Sequence, residues 1–215
     1  MKEINTILAD LEKYYSRLSD NGGNSIFKFQ LISDIVEKKI NNIISGEASN
    51  WLNFVRELKN HYPDKMIMDM GYIQFPSYLL NISLEETNFQ YGKRKLSLNL
   101  ALSLLSNFYT IYMSEEYVFT AIEQIDPENA QVSFWRSLRN DVDSSYTKYS
   151  HKINYFINQY FPEYTFIPHK LLLSYKIQEI SPWPENNAEL SLNEASLYIL
   201  LFDGLSPLNN IIVIK

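Results

Sequence analysis

The sequence predicts an α+β fold, and three observations carry that prediction. Apolar residues recur at helical spacing from Ile4 to Leu58, switch to strict alternation between Tyr78 and Leu104, and then follow helical and alternating patterns in turn to the end of the chain. The expected architecture is a group of N-terminal helices, a central antiparallel meander, a long amphipathic helix packed on the sheet, and a C-terminal strand, helix and strand. With 215 residues, 46% hydrophobic and 20% charged, the chain suits one domain spanning residues 1–215 with a full core.

Ile4, Ile7, Leu8, Leu11, Tyr14, Tyr15 and Leu18 fall on one stripe of a first helix, which residues 20–24 break. Ser25 is the expected N-cap of a second helix that turns Ile32, Ile35, Val36, Ile40 and Ile43 inward and stops near Gly46. A third helix starts at Ser49 or Asn50 and buries Trp51, Phe54, Val55 and Leu58. It ends by Tyr62, because Pro63 disfavours helical geometry in the residue before it. Tyr78, Leu80, Ile82 and Leu84 then alternate with Leu79, Asn81 and Ser83, as do Leu96, Leu98, Leu100, Leu102 and Leu104 with Ser97, Asn99, Ala101 and Ser103 after the turn-like residues 91–93. Ser106-Asn107 turns the chain into the β-branched and aromatic run 108–113, so residues 77–113 are read as a three-stranded meander.

Beyond it, Pro127 suits a helix start, and Trp135, Leu138, Val142, Tyr149, Ile153, Phe156, Ile157 and Tyr160 keep helical spacing up to Pro162. One helix of that length, roughly 40 Å, would cross the whole sheet. Leu171, Leu173, Tyr175 and Ile177 alternate as a strand, and residues 182–187 form a loop. Ser191 with Glu194 fits a capping box for a short helix closed by Gly204; a buried strand is the alternative over residues 196–202. Residues 211–214 read as a last strand. Tyr62-Pro63-Asp64 and Phe161-Pro162-Glu163 echo one another at two helix ends without any further repeat.

Composition removes several chemistries. The absence of cysteine excludes disulfides, thiolate metal sites and a cysteine nucleophile. A net charge of −6 argues against phosphate binding as the main business of the chain, and hence against a nucleic-acid partner. The six glycines make no G-x-G-x-x-G or G-x-S-x-G, and Gly92-Lys93 lacks the rest of a phosphate-binding loop. His61, His151 and His169 lie far apart: His61 in the last turn of a helix, His151 on the polar face of the long helix, and His169 after Pro168 at the mouth of a strand, the least explained of the three. Asp141-Val142-Asp143 begins like a calcium loop, but lacks its glycine and has Lys152 where the bidentate Glu belongs. No catalytic residue, metal site or cofactor is therefore expected. The charge-free residues 96–114 alternate as a strand rather than a membrane span, and the charged N-terminus has no signal-peptide core, so a cytoplasmic protein is expected.

The 16 tyrosines are the unusual feature. Tyr14, Tyr149 and Tyr160 lie on core stripes, whereas Tyr109 and Tyr112 point to opposite faces of one strand and cannot both enter a single core. Tyr-rich acidic surface is what a protein-binding module shows, while a Tyr-rich core reads equally well. Glu85-Glu86 and Glu115-Glu116 are acidic pairs near strand ends, and Lys93-Arg94-Lys95 reads as a solubilising hairpin tip.

Residues 100–112, Leu-Ala-Leu-Ser-Leu-Leu-Ser-Asn-Phe-Tyr-Thr-Ile-Tyr, and residues 194–203, Glu-Ala-Ser-Leu-Tyr-Ile-Leu-Leu-Phe-Asp, resemble segments of bacterial immunity-type proteins of polymorphic toxin systems. The resemblance covers about a tenth of the chain and carries no binding residues over. It implies a small acidic inhibitor that binds one cognate toxin and occludes its active surface. The expected contact set is Glu85, Glu86, Tyr109, Tyr112, Glu115 and Glu116, acids steering a basic toxin domain and aromatics supplying affinity. Two other readings stand beside it: an enzyme whose site assembles around His169, and a structural adaptor subunit of a bacterial assembly.

Overall fold

The computed structural model describes residues 2–17, 23–90, 92–122, 131–178, 180–181, 194–203 and 211–213. Helix α1 (Lys2–Leu11) buries Ile4, Ile7 and Leu11 as the stripe predicts, but stops before Tyr14. There the chain turns, Tyr15 N–H still reaching Leu11 O, and the Tyr15 hydroxyl leaves the helix to donate to Leu200 O at 2.6 Å. The next residues form β1 (Ser16–Arg17), paired with β9 (Ile180–Ser181); a distant strand outbids continued helix. Helix α2 (Gly23–Ser45) starts ahead of Ser25, since nothing in Gly23 or Asn24 forbids helical dihedrals, and ends at Gly46, whose φ of +79° is the left-handed stop that glycine supplies. Helix α3 (Ser49–His61) buries Trp51, Phe54, Val55 and Leu58 and ends at Tyr62, as its sequence requires.

The meander is present and longer than expected. Strands β3 (Ser77–Phe89), β4 (Gly92–Ser103) and β5 (Phe108–Ile122) pair antiparallel, with the short β2 (Ile67–Asp69) on the outer edge of β3. The long helix expected from Pro127, a residue outside those described, does not run through residues 131–146. Residues 131–140 form β6 (Gln131–Asn140), zipped antiparallel onto β5 from Met113↔Asn140 to Ile122↔Gln131. The β-forming run Val132-Ser133-Phe134-Trp135 fits a period of two as well as a helix. The extension of β5 past Met113 offers an edge that decides between them. Asp143 then caps a 3₁₀ turn (Ser144–Tyr146), and helix α4 (Thr147–Tyr160) carries the inward Tyr149, Ile153, Phe156 and Ile157.

Strand β7 (Thr165–Phe166) lies parallel to the start of β5. The strand expected through Leu171 and Leu173 is instead helix α5 (His169–Ser174), opened by Pro168, with His169 and Leu172 buried one turn apart. Only β8 (Lys176–Gln178) is extended, pairing with β10 (Glu194–Ser196), so Glu194 is a strand residue and not part of a capping box. A π-helical turn (Ile199–Asp203) follows, favouring the helical reading of this segment, and β11 (Ile211–Val213) runs parallel to β6. Residues 182–187, Ser191 and Gly204 lie outside the described residues.

The central seven-stranded sheet has the order β11-β6-β5-β4-β3-β2, with β7 beside β5. Both of its faces are covered. On one, Leu80, Ile82, Leu98, Leu100 and Ile111 meet Trp51, Phe54 and Leu58 of α3 and Ile153 and Ile157 of α4. On the other, Ala101, Phe108 and Tyr112 meet α1, Ile32 of α2, Leu172 of α5 and the π-helical turn. Two cores rather than one explain why the small polar face of β4 also goes inside.

Residues 199–202 of the π-helical turn are buried, and side chains from three other parts of the chain bond three of its carbonyls. Tyr15 donates to Leu200 O, Ser103 Oγ to Leu201 O at 2.8 Å and Ser77 Oγ to Phe202 O at 2.6 Å. Lys39 of α2 plays a similar part for the loop before β3. Its buried ammonium donates to the carbonyls of Ile73, Phe75 and Ser77 at 2.6, 2.8 and 3.0 Å. Burial pulls its pKa down to about 8, and Asp69 pulls it back up in part.

Candidate functional site

Strands β3 and β4 run past the core. The last five residues of β3, 85–89, are all exposed, and the facing residues 92–95 of β4 are half-buried. This end of the sheet, with the facing residues of β5, carries the four candidate glutamates, and a β-bulge decides where those of β3 point. The β3–β4 register shifts between Ser83 and Glu85, so Leu84 stays in the core and Glu85 pairs with Leu96, Glu86 with Lys95. Glu115 pairs with Leu96 from the other side and Glu116 with Lys95. Glu85 and Glu115 therefore share the face that α3 and α4 cover lower down, and Glu86 and Glu116 share the opposite one.

On the first face Arg94 Nε donates to Glu115, which also accepts from the Tyr117 hydroxyl at 2.8 Å. The Tyr146 hydroxyl, arriving from the 3₁₀ turn, donates to Glu85. The bond to Glu115 raises the Arg94 pKa, and carboxylate acceptors likewise raise those of Tyr117 and Tyr146. On the second face Glu86 lies between Lys93 (3.5 Å) and Lys95 (3.9 Å). The expected acidic patch is thus a ribbon of alternating charge in which Lys93, Arg94 and Lys95 sit among the glutamates. The hairpin tip and the acidic pairs are one feature, which the sequence separated because the pairing needs the bulge.

The aromatic half of the expected set is corrected. Tyr109 is 4% exposed and Tyr112 5%, one in each core, so neither offers a surface to a partner. Tyr109 donates to Asn154 Oδ1 of α4 at 2.9 Å, and burial pushes its pKa up to about 12. Tyr112 and Tyr198 hydroxyls bond at 2.9 Å. The aromatic residues that do stand at the ribbon are Phe89, 40% exposed, with Tyr117 and Tyr146. The continued run Tyr117-Val118-Phe119 was the signal that β5 extends this far.

His169 does not sit at the mouth of a strand. It is fully buried at the start of α5, its ring stacked on Tyr112 at 4.1 Å and edge-on to Tyr198 at 4.6 Å. His61 and His151 are exposed on α3 and α4. Among the described residues no group of three or more His, Asp or Glu side chains is placed to hold a metal ion, and no helix is long and apolar enough to cross a membrane. Compared with protein-family models, curated proteins and solved structures, the chain matches none.

Proposed function

We propose that this protein is a binding module, an immunity-type inhibitor that neutralises a cognate bacterial toxin in the cytoplasm by covering its active surface. The observation that supports the reading is the projecting ribbon. Residues 85–89 extend β3 as exposed strand past the buried Leu84, while the bulge and the ion pairs fix the directions of Glu86, Lys93, Lys95, Arg94 and Glu115. A solvated strand end with few apolar contacts adds little to folding; held rigid, it presents a patterned surface whose ordering cost is already met before a partner arrives. Alternating charge selects register and partner more than it adds raw affinity. The contact set becomes Glu85, Glu86, Glu115 and Glu116 with Phe89, Arg94, Tyr117 and Tyr146, in place of the buried Tyr109 and Tyr112.

The test is charge reversal of Glu85, Glu86, Glu115 and Glu116 to lysine, read as affinity for the partner that co-purifies from the native host. The complex should weaken by well over about tenfold, because lost attraction and new repulsion act together in a desolvated contact. Unchanged affinity would remove the ribbon from the interface.

A further inference from the structure

We propose that the outer face of the α3–α4 pair is a second docking surface, one that takes an acidic polypeptide segment of the partner. This rests on the protein-binding reading above and gives that partner a chemistry. The face is built by rings and lysines in sequence across two helices. Lys148 Nζ lies 5.0 Å from the centre of the Tyr149 ring, and Lys65 Nζ, bonded to Leu84 O, lies 6.0 Å from the same ring. Tyr149 contacts Tyr62 at 5.0 Å, Tyr62 contacts His61 at 4.7 Å, and His61 meets Phe156 at 6.1 Å. Lys152 Nζ sits 4.6 Å from both the Phe156 and Tyr155 rings, and Tyr155 itself is 60% exposed. His61 and His151 are exposed alongside.

On a chain of net charge −6, this face gathers Lys65, Lys148 and Lys152, and none of the three has a carboxylate within ion-pair distance among the described residues. Glu57 of α3 and Asp64, three residues beyond its end, do not pair with them. Rings beneath the ammonium groups narrow the space the lysines sample; Lys148 is exposed, Lys152 half-buried, and Lys65 half-buried with one donor spent on Leu84 O. Lys148, Lys152 and Tyr155 follow one another at four and three residues on α4, about 10 Å along the helix axis, the length of two turns of a partner helix or three residues of an extended one. Carboxylates at that spacing complement the face. A nucleic acid fits less well: planar bidentate phosphate recognition is arginine's work, and the negative field of the whole chain repels a long polyanion.

The probe is a fluorescein-labelled Glu-rich peptide, titrated at low salt by fluorescence polarisation, with a labelled oligothymidylate run in parallel. The wild-type chain should bind the peptide. Lys148→Glu/Lys152→Glu should lose at least about tenfold in affinity, whereas Lys13→Glu/Lys38→Glu, with the same change in net charge elsewhere, should stay within about twofold. Absence of binding, equal loss in both double variants, or tighter binding of the oligothymidylate would each overturn the proposal. Because the probe is synthetic, these outcomes are independent of whether the native partner is a toxin.

Discussion

Tyr15, Ser77 and Ser103 show how single side chains hold a turn that would otherwise be too expensive to bury. Each hydroxyl occupies one carbonyl of the π-helical turn, whose residues 199–202 are almost wholly inaccessible. Ser77→Ala, Ser103→Ala and Tyr15→Phe should each lower unfolding free energy by about 1–3 kcal/mol in urea titrations, because each leaves a buried acceptor unbonded. The tyrosines also set the alkaline limit. Burial raises Tyr109 to about 12 and lifts Tyr15 and Tyr164 further above the ordinary value. The native state therefore keeps these protons after the unfolded chain has released them near pH 10. Their contribution is complete below that pH and is lost as pH rises through 10 towards 12. Tyr109→Phe should flatten part of that decline when urea midpoints are plotted against pH. Gly71 is a third such point. A Cβ there would meet Asp69 Oδ1, Ile43 Cδ1 and Trp51 Nε1, each at 3.0 Å, where Asp69 already accepts from Trp51 and from Gly71 N–H. Gly71→Ala should cost about 1–3 kcal/mol.

At the scale of elements, the ribbon's ion pairs orient side chains without carrying much stability. Glu86→Ala and Arg94→Ala should each change the unfolding free energy by less than about 1 kcal/mol, because the groups are partly solvated. A partner-binding defect in either variant would then report on contact and not on folding. Elements also show where sequence reading reached and where it stopped. Helix α3 was legible because four apolar residues and Pro63 agree on one face and one end. Strands β3 and β4 were legible because leucine alternates with small polar residues over a long stretch. Residues 131–140 were not, since Trp135, Leu138 and Val142 satisfy a helical period by coincidence, and the deciding influence is an edge of β5 distant in sequence. The same holds at the site: the acidic pairs could be found, but the bulge that divides them between two faces leaves no local signal.

For the molecule as a whole, a sheet covered on both sides accounts for buried tyrosines on both faces of one strand. Two cores, not one, absorb Tyr109, Tyr112, Tyr149 and Tyr198, and the surfaces proposed for a partner are the charged end of the sheet and the cationic face of α3 and α4. The proposed inhibitory role predicts stoichiometric occlusion. The most direct measurement is capture of the tagged full chain from its native host, identification of the stoichiometric partner by mass spectrometry, and titration of that partner's activity with the purified chain. One partner whose activity falls to zero at one equivalent is the predicted result; a partner that keeps its full activity when saturated would contradict the inhibitory role.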